Sequence, residues 1–234
     1  MIDLVNRLME LIPPRPMVTP EMIKVEVLSA IHHAGLSCVS DDESEETKLE
    51  LAKDVVSNYH FNIDAYDLSK RMEDDGWNVN VSFVEDMRTI CSYIARALQE
   101  VVMKWYRDYK PQPPLPVETK IKTGVIKGVH KLQAATYMVQ RYGSEPGIYE
   151  LVKFEQAVPV LSVGDVVEPV SPTYALRSGA ESFDMAVVIK SSPLILSSIN
   201  ATMRWQSTVQ AHMFRVVGEA DEKTLETCLA RVEA

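Results

Sequence analysis

The stretch KPQPPLP, residues 110–116, separates two halves of the sequence that have different patterns. Four of its seven residues are proline, which lacks a backbone N–H and fixes its own φ angle. A helix therefore ends before this stretch, which favours an extended, stiff connection. We predict an acidic helical domain over residues 1–110, a proline-rich linker over residues 111–116, and a β-rich domain over residues 117–234.

Helical patterns dominate the residues before the prolines. Thr19 and Pro20 form an N-cap followed by proline at the first helical position, and Gly35 is a typical stop signal. Between them, the spacing predicts a buried stripe made of Met22, Val25, Leu28 and Ile31. The most regular helix carries one apolar face for about six turns, formed by Phe83, Met87, Ile90, Ile94, Leu98, Val101 and Trp105. The first twelve residues, MIDLVNRLMELI, are also predicted to be helical.

Short β-branched segments follow the prolines. They are GDVVEP (164–169), DMAVVIK (184–190), LILSSI (194–199), TMRWQSTV (202–209) and FRVVG (214–218). Their spacing predicts a small SH3-like antiparallel β-barrel, closed by a helix over residues 221–233. Residues 136–155 fit two strands around the turn GSEPG, and residues 124–142 fit a helix or a strand equally well. The predicted fold class is α+β.

The composition narrows the class of protein. No apolar run approaches the roughly 18 residues that cross a bilayer, so no membrane partner is expected. The three cysteines include no CxxC pair, which favours reduced thiols in a cytoplasmic setting. The net charge of −9 is concentrated in residues 1–110, which hold 20 acidic against 12 basic side chains. The acidic segment, residues 41–46, contributes most, through Asp41, Asp42, Glu43, Glu45 and Glu46.

Motifs that would define a catalytic or metal site are missing from the sequence. It contains no GxxxxGK[ST] phosphate loop and no GxSxG nucleophile elbow. None of the five histidines has a partner at a metal-ligand spacing such as HExxH. We therefore assign no catalytic residue, no metal and no cofactor, and we predict that the protein is not an enzyme.

Two further stretches are candidates for binding. The basic stretch, residues 120–131, would form a nucleic-acid footprint through Lys120, Lys122, Lys127 and Lys131. In TMRWQSTV, side chains alternate between two faces, so Trp205 is expected in the core. The opposite face presents a polar row for a protein partner, formed by Arg204, Gln206 and Thr208.

The segments GDVVEPVSPTY, DMAVVIKSSPLIL, ATMRWQST, FRVVGEA and LETCLARVE together resemble small uncharacterised accessory proteins of T4-like tailed phages. The resemblance covers residues 164–233 and implies a phage origin, an SH3-like barrel of the KOW type and work on host components.

The leading hypothesis is a non-enzymatic interaction protein that binds a host or phage protein in the host bacterial cytoplasm. A nucleic-acid-binding module that uses residues 120–131 and the barrel is the first alternative. A virion structural component is the second. The sequence does not specify an oligomeric state.

Overall fold

The structure is a computed structural model that describes residues 3–40, 42–170, 185–191, 194–199, 204–206, 211 and 214–233. The chain divides into two compact units. The helical unit comprises Arg15–Arg107, and the sheet unit comprises Met1–Pro14 together with Asp108–Ala234. The proline-rich residues 111–116 therefore belong to a compact unit with the strands.

Four helices begin in the helical unit: α1 (Pro20–Ala34), α2 (Glu45–Asn58), α3 (Ala65–Asp74) and α4 (Val81–Tyr109). Each begins after a polar side chain that accepts a hydrogen bond from a backbone N–H of the first turn. These N-cap residues are Thr19, Ser44, Asp64 and Asn80. The predicted start and stop of α1 are confirmed, since Gly35 ends it with a left-handed φ of 64°.

The core of the helical unit confirms most of the α4 prediction and corrects the α1 prediction. On α4, Phe83, Met87, Ile90, Ile94 and Trp105 are buried, and Val101 is exposed. On α1 the buried set is shifted along the helix, to Ile23, Val27, Ala30 and Ile31. Val25, predicted to be buried, is 60% exposed. Apolar residues of α1 occur on several sides of the helix, so their spacing in the sequence does not identify the face that is buried.

The sheet unit contains nine strands among the described residues: β1 (Lys120–Ile121), β2 (Gly124–Val129), β3 (Thr136–Arg141), β4 (Tyr149–Lys153), β5 (Asp165–Pro169), β6 (Ala186–Ser191), β7 (Leu194–Ser198), β8 (Arg204–Gln206) and β9 (Phe214–Glu219). They form two antiparallel sheets, in the orders β1-β2-β3-β4 and β8-β7-β6-β5-β9. Residues 124–142, which fitted helix or strand, therefore contribute the hairpin β2–β3.

Strand β6 lies at the centre of the second sheet and is buried on both faces. Val187 and Ile189 pack with Cys228 of the C-terminal helix α5 (Glu222–Glu233). On the other face, Ala186 and Val188 pack in a second cluster. The α+β class and the C-terminal helix are confirmed. The SH3-like barrel is not, because the described strands form an open row with β8 and β9 at its edges.

The proline-rich residues are held inside the sheet unit by one buried tyrosine. The Leu115 N–H donates to the Tyr137 hydroxyl at 2.8 Å, and that hydroxyl donates to the Leu115 carbonyl at 2.8 Å. Burial raises the pKa of Tyr137. The Gln112 N–H donates to the Val5 carbonyl, so this segment also fixes the N-terminal residues.

Candidate functional site

Residues 5–11 form a closed loop, which we call the N-terminal loop. A β-bridge joins Val5 to Leu11. Inside it, the Asn6 Oδ1 atom accepts from the N–H groups of Leu8 (2.9 Å) and Glu10 (3.0 Å), and Asn6 Nδ2 donates to the Glu10 carboxylate at 2.7 Å. These bonds brace a tight loop in which Asn6 satisfies backbone groups that a helix would satisfy otherwise.

The N-terminal loop exposes apolar side chains at its tip and at its base, with the charged Arg7 and Glu10 exposed beside them. Leu8 is 76% exposed, and Met9 and Leu11 are also exposed. Met9 has a φ of 61°, a left-handed conformation that costs a non-glycine residue about 1–2 kcal/mol. The fold therefore holds three large apolar side chains in water, on a backbone that carries local strain.

The predicted helix over the first twelve residues is wrong. Val5 accepts from Gln112 N–H, and the Ile12 N–H donates to the Leu4 carbonyl, so both arms of the loop are extended. Pro13 and Pro14, which follow directly, also disfavour a helix at this end. Local bonds of Asn6 and the Val5–Leu11 bridge close the loop, and a further contact comes from Gln112, about one hundred residues away in the sequence.

The acidic segment precedes and begins α2. Asp42, Glu43, Glu45 and Glu46 are all exposed, while Asp41 lies outside the described residues. Glu45 pairs with the buried Lys48 at 3.1 Å. Acidic side chains at a helix N-terminus stabilise the helix through its dipole, which accounts for part of this charge.

For two residues of the predicted polar row, the structure describes the backbone and not the side chains. Arg204 and Gln206 belong to β8 and lie in register with Ser197 and Ile195 of β7. Their side chains lie outside the description. Thr208 lies outside the described residues altogether.

The structure separates two of the four lysines of the basic stretch. Lys122 precedes β2 and Lys131 follows it, and six strand residues span about 20 Å. Lys127, at an irregularity in the β2–β3 register, pairs with Glu118 at 2.7 Å. Lys120 lies near a carboxylate, that of Asp165. Burial raises the pKa of Asp165, and a hydrogen bond from Ser162 and the charge of Lys120 oppose that shift.

Two cysteines of the helical unit are poorly suited to nucleophilic chemistry. Burial, with the charge of Asp86 acting in the same direction, raises the pKa of Cys38 to about 12. Burial and the charge of Asp64 raise the pKa of Cys91 to about 11. Asp86 itself accepts from the backbone N–H groups of Ser37 and Cys38, so it fixes the loop after α1.

Neither a metal centre nor a membrane span is found in the described part of the chain. Its histidines, cysteines and carboxylates form no group of three that would hold an ion. None of its helices combines the length and apolar character needed to cross a bilayer. Comparison with protein-family models, with curated proteins and with solved structures finds no match.

Proposed function

We propose that this protein is a non-enzymatic interaction protein that binds another protein through the N-terminal loop. The observation that carries this proposal is the exposure of Leu8, Met9 and Leu11 on a loop braced by Asn6. Single exposed apolar residues are common on protein surfaces. Three of them on one loop that is braced by hydrogen bonds resemble the preorganised apolar anchors that dominate protein interfaces.

The charge of the helical unit supports a partner with a basic surface. Residues 15–107 contain 10 Lys and Arg against 17 Asp and Glu, a formal charge of −7. Exposed Asp42, Glu43 and Glu46 contribute to it. Such a surface attracts positive partners and repels the phosphates of nucleic acid. The separation of Lys122 from Lys131 and the pairing of Lys127 with Glu118 also favour protein binding over nucleic-acid binding.

The resemblance of residues 164–233 to phage accessory proteins supports a host or phage protein as the partner, met in the host bacterial cytoplasm. On this reading the open second sheet is part of an SH3-like barrel, and Arg204, Gln206 and Thr208 form a further contact. The short antiparallel strands β5 to β9 support that reading.

The test compares Leu8→Ser with Leu132→Ser in affinity capture from nuclease-treated bacterial lysate, followed by mass spectrometry. Leu132 is 78% exposed, so the two changes match in residue type and exposure. A leucine buried in an interface contributes about 1.5–3 kcal/mol, so Leu8→Ser should lower recovery of a true partner about tenfold or more. Leu132→Ser should leave it unchanged. Equal recovery by both variants contradicts the loop as the binding site.

The contribution of the acidic segment is tested separately. The variant Asp42→Asn, Glu43→Gln, Glu46→Gln removes three exposed carboxylates and leaves the Glu45–Lys48 pair intact. Its control neutralises three other exposed residues, Glu145, Glu222 and Glu226. We expect the captured partner to dissociate from the first variant at a lower salt concentration than from the control variant. Identical salt dependence rejects a role for this segment.

A further inference from the structure

The first sheet has one covered edge and one uncovered edge in the described part of the chain. Beyond β1, residues 158–160 continue the sheet: Ile121 forms a bridge with Pro159, and the Val160 N–H donates to the Lys120 carbonyl at 2.9 Å. At the opposite side, β4 pairs with β3 and no other described strand. An unpaired edge strand is a ready site for pairing with another chain.

The orientation of the β3 backbone follows from one hydrogen bond. The Thr136 carbonyl accepts from the His130 N–H at 2.7 Å, so Thr136 directs its backbone groups toward β2. Successive residues of an antiparallel strand direct these groups to alternate sides. Tyr137 and Val139 therefore direct theirs toward β4.

The register then defines which β4 groups face outward. Tyr137 lies opposite Val152, and Val139 lies opposite Glu150, so these two β4 residues bond to β3. Tyr149 and Leu151 alternate with them and direct their N–H and C=O groups to the uncovered edge. Both side chains are exposed, as is that of Ile148 just before the strand. The edge thus combines outward backbone groups with an apolar flank.

We infer that β4 is a self-association edge, which pairs antiparallel with β4 of a second copy of this chain. A two-fold axis at Leu151 places Leu151 opposite Leu151 of the second copy. The same register places Glu150 opposite Val152 and Tyr149 opposite Lys153. Leucine then meets leucine and a cation meets an aromatic ring, while Glu150, which pairs with Arg141 of its own chain at 3.4 Å, lies opposite Val152 of the second copy.

Charge disfavours one of the two neighbouring registers. A two-fold axis at Glu150 would place two carboxylates directly opposite each other, which destabilises a strand pair. A two-fold axis at Val152 would place Leu151 opposite Lys153 and lose the contact between the two leucines, so the register about Leu151 is favoured. A foreign strand would need its own matching pattern, whereas the second copy supplies one.

The pairing is expected to be weak. Five residues on each side form a smaller contact than the standard interface of about 1,600 Å². We therefore expect a dissociation constant in the micromolar range, about 1–100 μM. Dimer should accumulate as the protein concentration rises through that range.

The sharpest test is disulfide cross-linking of Leu151→Cys under mild oxidation. At the two-fold axis, the two Cα atoms would lie about 5.5 Å apart, within the span of a disulfide. Val160→Cys is the matched control, because Val160 is 44% exposed, Leu151 is 42% exposed, and Val160 lies at the opposite edge. The unmodified chain, with Cys38, Cys91 and Cys228, gives the background.

The inference is supported if Leu151→Cys yields much more covalent dimer than Val160→Cys and than the unmodified chain. Two results would overturn it: Val160→Cys cross-links as much as Leu151→Cys, or Leu151→Cys gives no covalent dimer at a protein concentration above about 100 μM, the weakest affinity expected. Light scattering supplies the second readout, since Leu151→Asp puts two carboxylates on the axis and should weaken the dimer about tenfold or more. A dimer unaffected by Leu151→Asp, or a chain that stays monomeric throughout, also overturns it.

Discussion

Replacing Gly124 with alanine should destabilise the sheet unit sharply. Gly124 begins β2 and lies opposite Arg141 of β3. A Cβ atom at this position would lie 2.0 Å from the Gln140 carbonyl oxygen and 2.7 Å from its carbon. Both obstacles are main-chain atoms, so no change of rotamer relieves the contact. The strands would have to separate locally, with loss of ladder hydrogen bonds.

The expected loss of folding stability follows from the kind of atom that the added Cβ would meet. Overpacking a core ordinarily costs about 1–3 kcal/mol, and a backbone obstacle belongs at or above the upper end of that range. A loss of about 3 kcal/mol lowers the Tm of a domain of 150–250 residues by about 6–12 °C. Gly128 of the same strand is the matched control, because its Cβ would meet the flexible Met138 Cε atom at 3.2 Å. Gly128→Ala should change stability by less than about 1 kcal/mol.

The assay must report on the sheet unit alone, since the chain has two units and global unfolding curves combine them. Hydrogen exchange measured by mass spectrometry resolves peptides from β2 to β4. We expect Gly124→Ala to accelerate exchange there and Gly128→Ala to leave it nearly unchanged. If Gly124→Ala matches Gly128→Ala in both exchange and Tm, the close approach of β2 to β3 is refuted.

Three predictions concern the helical unit. Asp86→Ala removes a buried carboxylate that accepts from the N–H groups of Ser37 and Cys38 and from the Ser37 hydroxyl. Because hydrogen bonds to a charged group contribute about 1.5–3 kcal/mol each, we expect a loss of about 2–4 kcal/mol in urea unfolding, and a loss below about 1 kcal/mol would contradict this role. The raised pKa values of Cys38 and Cys91, about 12 and about 11, predict slow reaction with Ellman's reagent in the native state near neutral pH and fast reaction in urea. Because unfolded thiols ionise near their model value of 9.0, native stability should fall as pH rises above 9, and a flat profile there would argue against buried thiols.

Sequence patterns predicted helices best where one face was unambiguous. The α4 stripe from Phe83 to Trp105 repeats over many turns, so local spacing was sufficient to identify it. On α1 the caps were equally clear, yet Val27 is buried where Val25 was expected. Apolar residues lie on several faces of that helix. Packing against neighbouring helices, which spacing does not encode, selects the buried one.

The strands show a similar limit. Residues 124–142 carry a pattern that fits helix and strand alike, and the decision rests on pairing with β1 and β4. The close approach at Gly124 is likewise a property of two strands together. Among the candidate site residues, the exposure of Asp42 and Glu46 could be predicted from the sequence, because both lie in a run of acidic residues. The pairing of Lys127 with Glu118 did not, because it depends on the fold around β2.

The N-terminal loop shows how such long-range contacts create a candidate site. In a helix, Leu4, Leu8 and Leu11 would share one face and could be buried together. The anchoring of Val5 by the backbone of Gln112 instead leaves Leu4 buried and Leu8 exposed. Full burial of a leucine is worth about 1.5–3 kcal/mol, and the fold forgoes that gain at Leu8. Since Leu8 makes so little contact with its own chain, Leu8→Ser should leave folding intact, and any loss of binding then reports on a partner that supplies the missing burial.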